Sequence, residues 1–271
     1  MTSLQTTIPL SDGHHIPVFG LGVYKMTDEE ASLSVHKALR YGYRLIDTAA
    51  MYENEQAVGE AIREAIVQGI PEDEIYVTTK VWKTELGYEK TRQAVLASYA
   101  KLGLESIELV LIHWPGSEED NAGSWRALEE LVQEGKIKSI GVSNFSEDDL
   151  ERLMKTATIK PVLNQVELHP ILSQEKLQNY CQTHQIVLES WSPLMRGRLT
   201  DHPLLKELAE QYNKDTAQII LRWNVQRGII PIPKSSKEER IESNADIFDF
   251  ELTSDEMDKI SQLNEDRGVH G

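Results

Sequence analysis

The sequence predicts an α/β chain folded as one closed (β/α)8 (TIM) barrel behind an N-terminal β-hairpin. Three observations point there: strand-like runs alternate with longer stretches of helical period, eight of those runs follow the hairpin, and 271 residues suit one such barrel. No Pro/Gly/Ser linker, low-complexity segment or internal repeat divides the chain, so residues 1–271 read as one domain. In order, TIPL and HIPVF flank the turn signal SDG, which suggests the opening hairpin. The barrel strands are then expected at FGLGVY (19–24), RLIDTA (44–49), IYVTTK (75–80), IELVLIH (107–113), IKSIGVS (137–143), VLNQVEL (162–168), IVLESWS (186–192) and GIIPIPK (228–234). These are near-continuous Val/Ile/Leu runs, the mark of parallel strands buried on both faces. Between them lie amphipathic stretches such as EEASLSVHKALRYG, NEQAVGEAIREAIVQG, GYEKTRQAVLASYAKLG and GSWRALEELVQEG, several ending in the glycine that favours a helix C-cap.

Composition excludes some functions. A net charge of −16 would repel nucleic acid and anionic membrane surfaces, so no nucleic-acid or membrane partner is expected, and an anionic ligand needs a local basic pocket. The single cysteine, Cys181, lies in the helical stretch QEKLQNYCQTH and has no internal disulfide partner. The start MTSLQTTIPL lacks the basic and apolar blocks of a signal peptide, and no apolar run approaches a membrane span, so the cytoplasm is the expected location. His14, His15, His36 and His184 form no metal pattern with the cysteine or with one another, and His169 in ELHP is expected to satisfy backbone groups in a loop. No metal is implied. No G-x-S-x-G elbow supports a serine nucleophile.

A barrel keeps its chemistry at the C-terminal ends of the strands. Polar residues fall there: Asp47 on the second barrel strand, Lys80 on the third, His113 on the fourth, Ser143 and Asn144 on the fifth, Gln165 and Glu167 on the sixth, Trp191 on the seventh and Lys234 on the eighth. A lysine drawn into a cleft needs an anion to stay charged, and Asp47 on the adjacent strand can supply it. A charged Lys80 beside Tyr52 is expected to lower the tyrosine's pKa and make it a usable general acid, while His113 hydrogen-bonds a substrate carbonyl. Each residue has a structural alternative: a buried ion pair that sets register, a loop tyrosine on apolar surface, a satisfied histidine, or a packed Trp191.

No G-x-G-x-x-G follows a strand, because FGLG runs on as VYK, and the P-loop pattern is missing too. PIPKSSKEERIESN instead places Lys234, Ser235 and Ser236 before a helix whose N-terminal amides can take an anion, with Arg240 in its first turns. The alternative is a solvated charged helix.

The blocks FGLGVYK, GYRLIDTAAMYENEQAVGEAI, VTTKVW, LVLIHWPG, GKIKSIGVSNF, NQVELHP, WSPL and IPIPKSSKEERIESN span nearly the whole chain, in an order and spacing that resemble the aldo-keto reductase family. Within it the chain is most similar to bacterial reductases of the glyoxal/methylglyoxal and 2,5-diketo-D-gluconate type. The resemblance implies a monomeric reductase of small carbonyl compounds that uses NADPH. It implies Asp47, Tyr52, Lys80 and His113 as a catalytic tetrad with Tyr52 as proton donor. By the same resemblance, Ser143, Asn144 and Gln165 hold the nicotinamide carboxamide, Trp191 stacks on the ring, and Ser192, Pro193 and Leu194 complete the cofactor loop. Lys234, Ser235 and Arg240 are implied at the 2′-phosphate with Ser236 beside them, and Ser243 and Asn244 at the adenine, although many relatives carry glutamate or glutamine where Ser243 stands. Val23, Tyr24 and Trp114 are expected as walls of the substrate pocket. The stretch WPGSEEDNAGSW is short, and DRGVHG ends soon after the helix expected near Thr253, where relatives continue into a tail; this suggests an open pocket or a trimmed chain. Two other readings stand beside the reductase: a cofactor-binding regulatory or structural protein on the same fold, and a lyase or isomerase using Lys80 as a Schiff-base amine.

Overall fold

A computed structural model describes residues 2–269. Eight parallel strands form the barrel: β3 (Gly20–Gly22), β4 (Leu45–Asp47), β5 (Tyr76–Val81), β6 (Ile107–Ile112), β7 (Ile137–Ser143), β8 (Leu163–Glu167), β9 (Val187–Trp191) and β10 (Ile230–Pro231). A parallel bridge from Gly22 to Lys234, with Gly22 N donating to Pro233 O at 3.2 Å, draws the two edge strands together. The FGLG glycines serve this closure, since a Cβ on Gly22 would lie 3.1 Å from the Ile232 carbonyl oxygen. The eighth strand is two residues long, because Pro231 and Pro233 cannot donate to a ladder.

Helices α1 (Asp28–Arg40), α2 (Glu55–Val67), α3 (Tyr88–Leu102), α4 (Glu118–Gln133), α5 (Glu147–Met154) and α6 (Glu175–Thr183) connect the successive strands from β3 to β9. Two helices, α7 (Pro203–Tyr212) and α8 (Thr216–Gln226), join β9 to β10, and α9 (Glu238–Ala245) and α10 (Ser254–Ser261) follow. Reciprocal capping boxes start several of them: Thr27 with Glu30, Ser146 with Asp149, Asp215 with Gln218 and Thr253 with Glu256. Each box satisfies amides that the helix end leaves unpaired and so fixes where the chain leaves its loop.

The core has two parts. The larger lies between strands and helices and includes Val35, Ile46, Ile62, Val77, Val110, Trp125, Ile140 and Trp223. The smaller fills the barrel, with Leu45, Tyr76, Leu109, Leu111, Leu163, Ile230 and Ile232. The hairpin, β1 (Thr7–Pro9) with β2 (His15–Pro17), adds Ile16 and Leu10 to this inner cluster and closes the barrel's foot. Ser139 of β7 donates to Asp12 in the hairpin turn at 2.6 Å, tying the plug to the barrel wall. With its foot plugged, the barrel opens at the strands' C-terminal ends. No helix among the described residues is long and apolar enough to cross a membrane.

Candidate active site

The mouth holds a cavity of about 530 Å³, lined among others by Tyr24, Asp47, Tyr52, Trp82, His113, Trp114, Ser143, Asn144, Gln165, Trp191, Ser192 and Lys234. Lys80 sits under its floor, wholly buried, where neighbouring parallel strands aim it at Asp47. Its Nζ donates to Asp47 Oδ1 at 2.6 Å, to the Thr48 carbonyl at 2.9 Å and to the Tyr52 hydroxyl at 3.2 Å. Those three acceptors use the full donor capacity of an ammonium. Tyr52 comes from a 3-10 turn, Ala50–Tyr52, after β4, and its ring packs edge-on to His113 with centroids 5.8 Å apart.

Burial decides the charges here. It opposes the charge on Lys80, but Asp47, then Tyr52, more than offset it and hold the ammonium above its ordinary pKa. Burial pushes the Asp47 carboxyl up against the opposing pull of Lys80 and Gln165. Tyr52 departs from the expectation drawn from the sequence. Lys80 does act to lower its pKa, but burial prevails and pushes the phenol up to about 12. The reason is physical: a phenolate loses more solvation in this cleft than one already shared ammonium returns. His113 is driven down to about 2 by burial and then by Lys80, so it is a neutral imidazole throughout the physiological range, and its Nδ1 has no hydrogen-bond partner among the described residues.

The rim is a connected polar set. Asn144, at φ 62°, donates from Nδ2 to the His113 carbonyl at 3.0 Å and to Ser143 Oγ at 3.1 Å, while its Oδ1 accepts from Trp191 Nε1 at 2.8 Å. Ser143 donates to the Gln165 carbonyl at 2.8 Å, and Gln165 Nε2 donates to Asp47 Oδ2 at 2.8 Å and to Glu189 Oε1. The remaining capacity of this set is mostly that of acceptors.

Of the remaining anticipated residues Lys234 reaches the cavity lining, and the others lie farther out. Ser235 Oγ accepts from Lys237 N at 3.1 Å in a turn before α9, Lys234 and Arg240 are exposed, Ser236 and Ser243 are partly exposed, and Asn244 is buried. Pro193 and Leu194 continue the loop from Ser192 without lining the cavity, and Val23 is a core residue whose carbonyl accepts from Asn54. Glu167, expected at the converging mouth, instead accepts from the Val269 backbone N–H and pairs with His169 Nε2 at 2.9 Å. His169 therefore meets a carboxylate rather than backbone alone. Val269, the partner of Glu167, belongs to the DRGVHG terminus, whose last two residues lie outside the described residues.

Sequence reasoning missed Trp82, whose ring lies 5.0 Å from that of His113, along with Met51, Lys25 and Arg196 in the cavity lining. Trp82 had a signal. It stands two residues after Lys80, on the same side of an extended chain. Glu189 was missed as well.

Similarity to known proteins agrees with this architecture. Residues 18–265 match the model of the aldo/keto reductase family. The chain is 51% identical to a protein named glyoxal reductase from Bacillus subtilis, over 99% of this chain and 96% of the relative. It is 43% identical to the methylglyoxal reductase DkgA of Escherichia coli, over 96% of this chain and 94% of the relative. Among solved structures, the Bombyx mori aldo-keto reductase in complex with NADP superposes with a TM-score of 0.92 at 37% identity, covering 99% of this chain and 95% of that one. The barrel, its cavity and these full-length matches together establish that the chain belongs to the aldo/keto reductase family.

Proposed function

We propose that this protein reduces small aldehydes, α-dicarbonyls of the glyoxal and methylglyoxal type or keto sugars to alcohols at the expense of NADPH. The observation that carries the reading is the Asp47–Lys80–Tyr52 cluster, joined edge-on to a neutral His113, on the floor of one open cavity. When bound, NADPH supplies the hydride. The protein's own groups supply the proton and the orientation. As the carbonyl oxygen gains negative charge, Tyr52 gives it a proton, and Lys80 steadies the phenolate left behind. A phenol held protonated by burial suits this task, since the nascent alkoxide is far more basic than a phenolate. Asp47 keeps Lys80 charged and aimed. His113, whose Nδ1 has no partner among the described residues, carries its proton on Nε2 and offers it as a hydrogen bond to the substrate oxygen, keeping both the proton and its neutral state between pH 5 and 8.

The cofactor fits the donor set. Gln165 Oε1 and the second lone pair of Asn144 Oδ1 suit the NH2 of a carboxamide, and the Trp191 indole offers a flat apolar face beside them. Lys234 and Arg240 offer exposed cations for a phosphate on an otherwise acidic protein. The relatives named for glyoxal and methylglyoxal, and the neighbour crystallised with NADP, support the substrate class and the cofactor. A Schiff-base role for Lys80 is disfavoured, because its ammonium has three acceptors and is held charged.

The test follows NADPH absorbance with methylglyoxal and a panel of aldehydes and keto sugars, with Tyr52→Phe alongside. Oxidation by the wild type alone is expected. NADPH that binds without being oxidised by any of these substrates would sink the reductase reading and favour a cofactor-binding regulatory protein.

A further inference from the structure

Beneath the cavity floor lies an acid that the reaction above leaves unused. Glu189 is in β9, two residues before Trp191, and is wholly buried inside the barrel. Its Oε1 accepts from Gln165 Nε2, while its Oε2 has no hydrogen-bond partner among the described residues. The same Nε2 donates to Asp47 Oδ2 at 2.8 Å, and Asp47 Oδ1 holds Lys80 at 2.6 Å. One amide thus bridges two carboxyls, only one of which has a cation of its own. With both hydrogens of Nε2 committed into the barrel, the Gln165 carbonyl oxygen is the end left for the mouth. The flanking strands bring no other charge to this level: in register with Glu189 stand Gln165 on β8 and Ile230 on β10. The charged and titratable groups that act on Glu189 are Asp47 and Lys80, with Tyr76 lower in the barrel.

We propose that Glu189 is a positioning residue of this centre, turning the Gln165 amide so that its oxygen faces the cavity and acting through Asp47 and Lys80 on the proton-donating strength of Tyr52. The proposal rests on the reductase reading above. Burial, and after it the charge on Asp47, pushes the Glu189 carboxyl up to about 8, against the pull of Lys80 and Gln165. Below that pH the carboxyl is neutral and the Lys80 charge is balanced by Asp47 alone. Above it a second negative charge arrives with no partner cation. That charge offsets the field of Lys80 at Tyr52, disfavours the phenolate and makes the phenol a weaker acid. Carbonyl reduction therefore slows as the pH rises through about 8.

The experiment measures kcat against pH at saturating NADPH and methylglyoxal for wild type, Glu189→Gln and Glu189→Leu, together with the KM for NADPH. The wild type is expected to lose roughly three- to tenfold in kcat across an inflection near the Glu189 titration, and both variants to lack that inflection. Glu189→Leu, which removes the acceptor for Gln165, should also raise the KM for NADPH several-fold, whereas the isosteric glutamine should not. If the leucine variant does not fold, the glutamine variant carries the test. An inflection unchanged in Glu189→Gln overturns the proposal. Infrared difference spectra between wild type and Glu189→Gln without substrate provide a second readout, since the buried Glu108 carboxyl, itself pushed up to about 7, is common to both: a protonated-carboxyl band present only in wild type should disappear near the Glu189 titration, and the lack of such a difference band overturns the proposal. Failure of the reductase reading looks different, as a wild type that oxidises no NADPH at any pH.

Discussion

The cluster under the cavity floor and the segment Lys234–Asn244 are built on opposite terms. Every donor of Lys80 is committed, Lys80 and Asp47 are buried, and neighbouring strands hold them in register. Around Arg240 the cations are exposed, and the helix that carries it lacks a side-chain cap at its start. The difference matches the two tasks proposed for them. Proton transfer needs groups already in place, because reorganising them during the reaction would raise the barrier. Gripping a phosphate needs side chains that stay solvated until the ligand arrives, since desolvated cations without an anion would cost stability.

The largest expected effect tests the preset region. Tyr52→Phe removes the proton donor and little else, so kcat should fall by roughly 10²–10⁴-fold while NADPH affinity measured by fluorescence titration stays within about twofold. A comparable loss in NADPH binding would mean that Tyr52 belongs to the cofactor site instead.

Lys80→Met should be next in activity and first in stability. It leaves Asp47 buried without its cation, a change worth about 3–5 kcal/mol in comparable pairs. Without Lys80 the Asp47 pKa rises further. A carboxyl raised in the folded state contributes most below its unfolded value near 3.9 and loses that contribution as the pH rises. The deficit against wild type should therefore shrink as the pH falls from 7 towards 4, read from denaturant midpoints. Asp47→Asn combined with Lys80→Met should cost clearly less than the sum of the two.

How much of this was legible in the sequence follows from the same contrast. Asp47, Lys80 and His113 could be found because a polar residue ending an apolar run is conspicuous, and barrel geometry says that such residues converge. The strand ends were less legible. FGLGVY keeps only Gly20–Gly22, and GIIPIPK keeps only Ile230–Pro231, because the ladder stops where prolines and loop contacts begin. Tyr52's acidity was misjudged in direction, since the sequence shows a neighbouring charge but not the depth at which the hydroxyl is buried. Glu189 was hidden for a related reason. In IVLESWS it looks like an ordinary polar break in a strand, and only the inward alternation it shares with Val187 and Trp191 hinted that it faces the barrel's interior.

Arg240→Ala addresses the exposed segment. It should raise the KM for NADPH roughly tenfold with kcat nearly unchanged, because the lost interaction serves ground state and transition state alike, and leave turnover with NADH, which has no 2′-phosphate, as it is in wild type. Retained preference for NADPH in this variant would move the phosphate site elsewhere.

The smallest expected effect is also the sharpest test of the comparison. Lys234→Ala and Arg240→Ala together should leave the melting temperature unchanged, because neither side chain is buried and only the backbone at Lys234 takes part in closing the barrel. Their losses in NADPH affinity should add, with each variant flattening the dependence of binding on salt, since two solvated cations acting on one anion through a screened field are nearly independent. If the pair proved as strongly coupled as Asp47 and Lys80, the segment would be a preset site after all. The division between a rigid floor that moves protons and a solvated arm that holds phosphate would then be wrong.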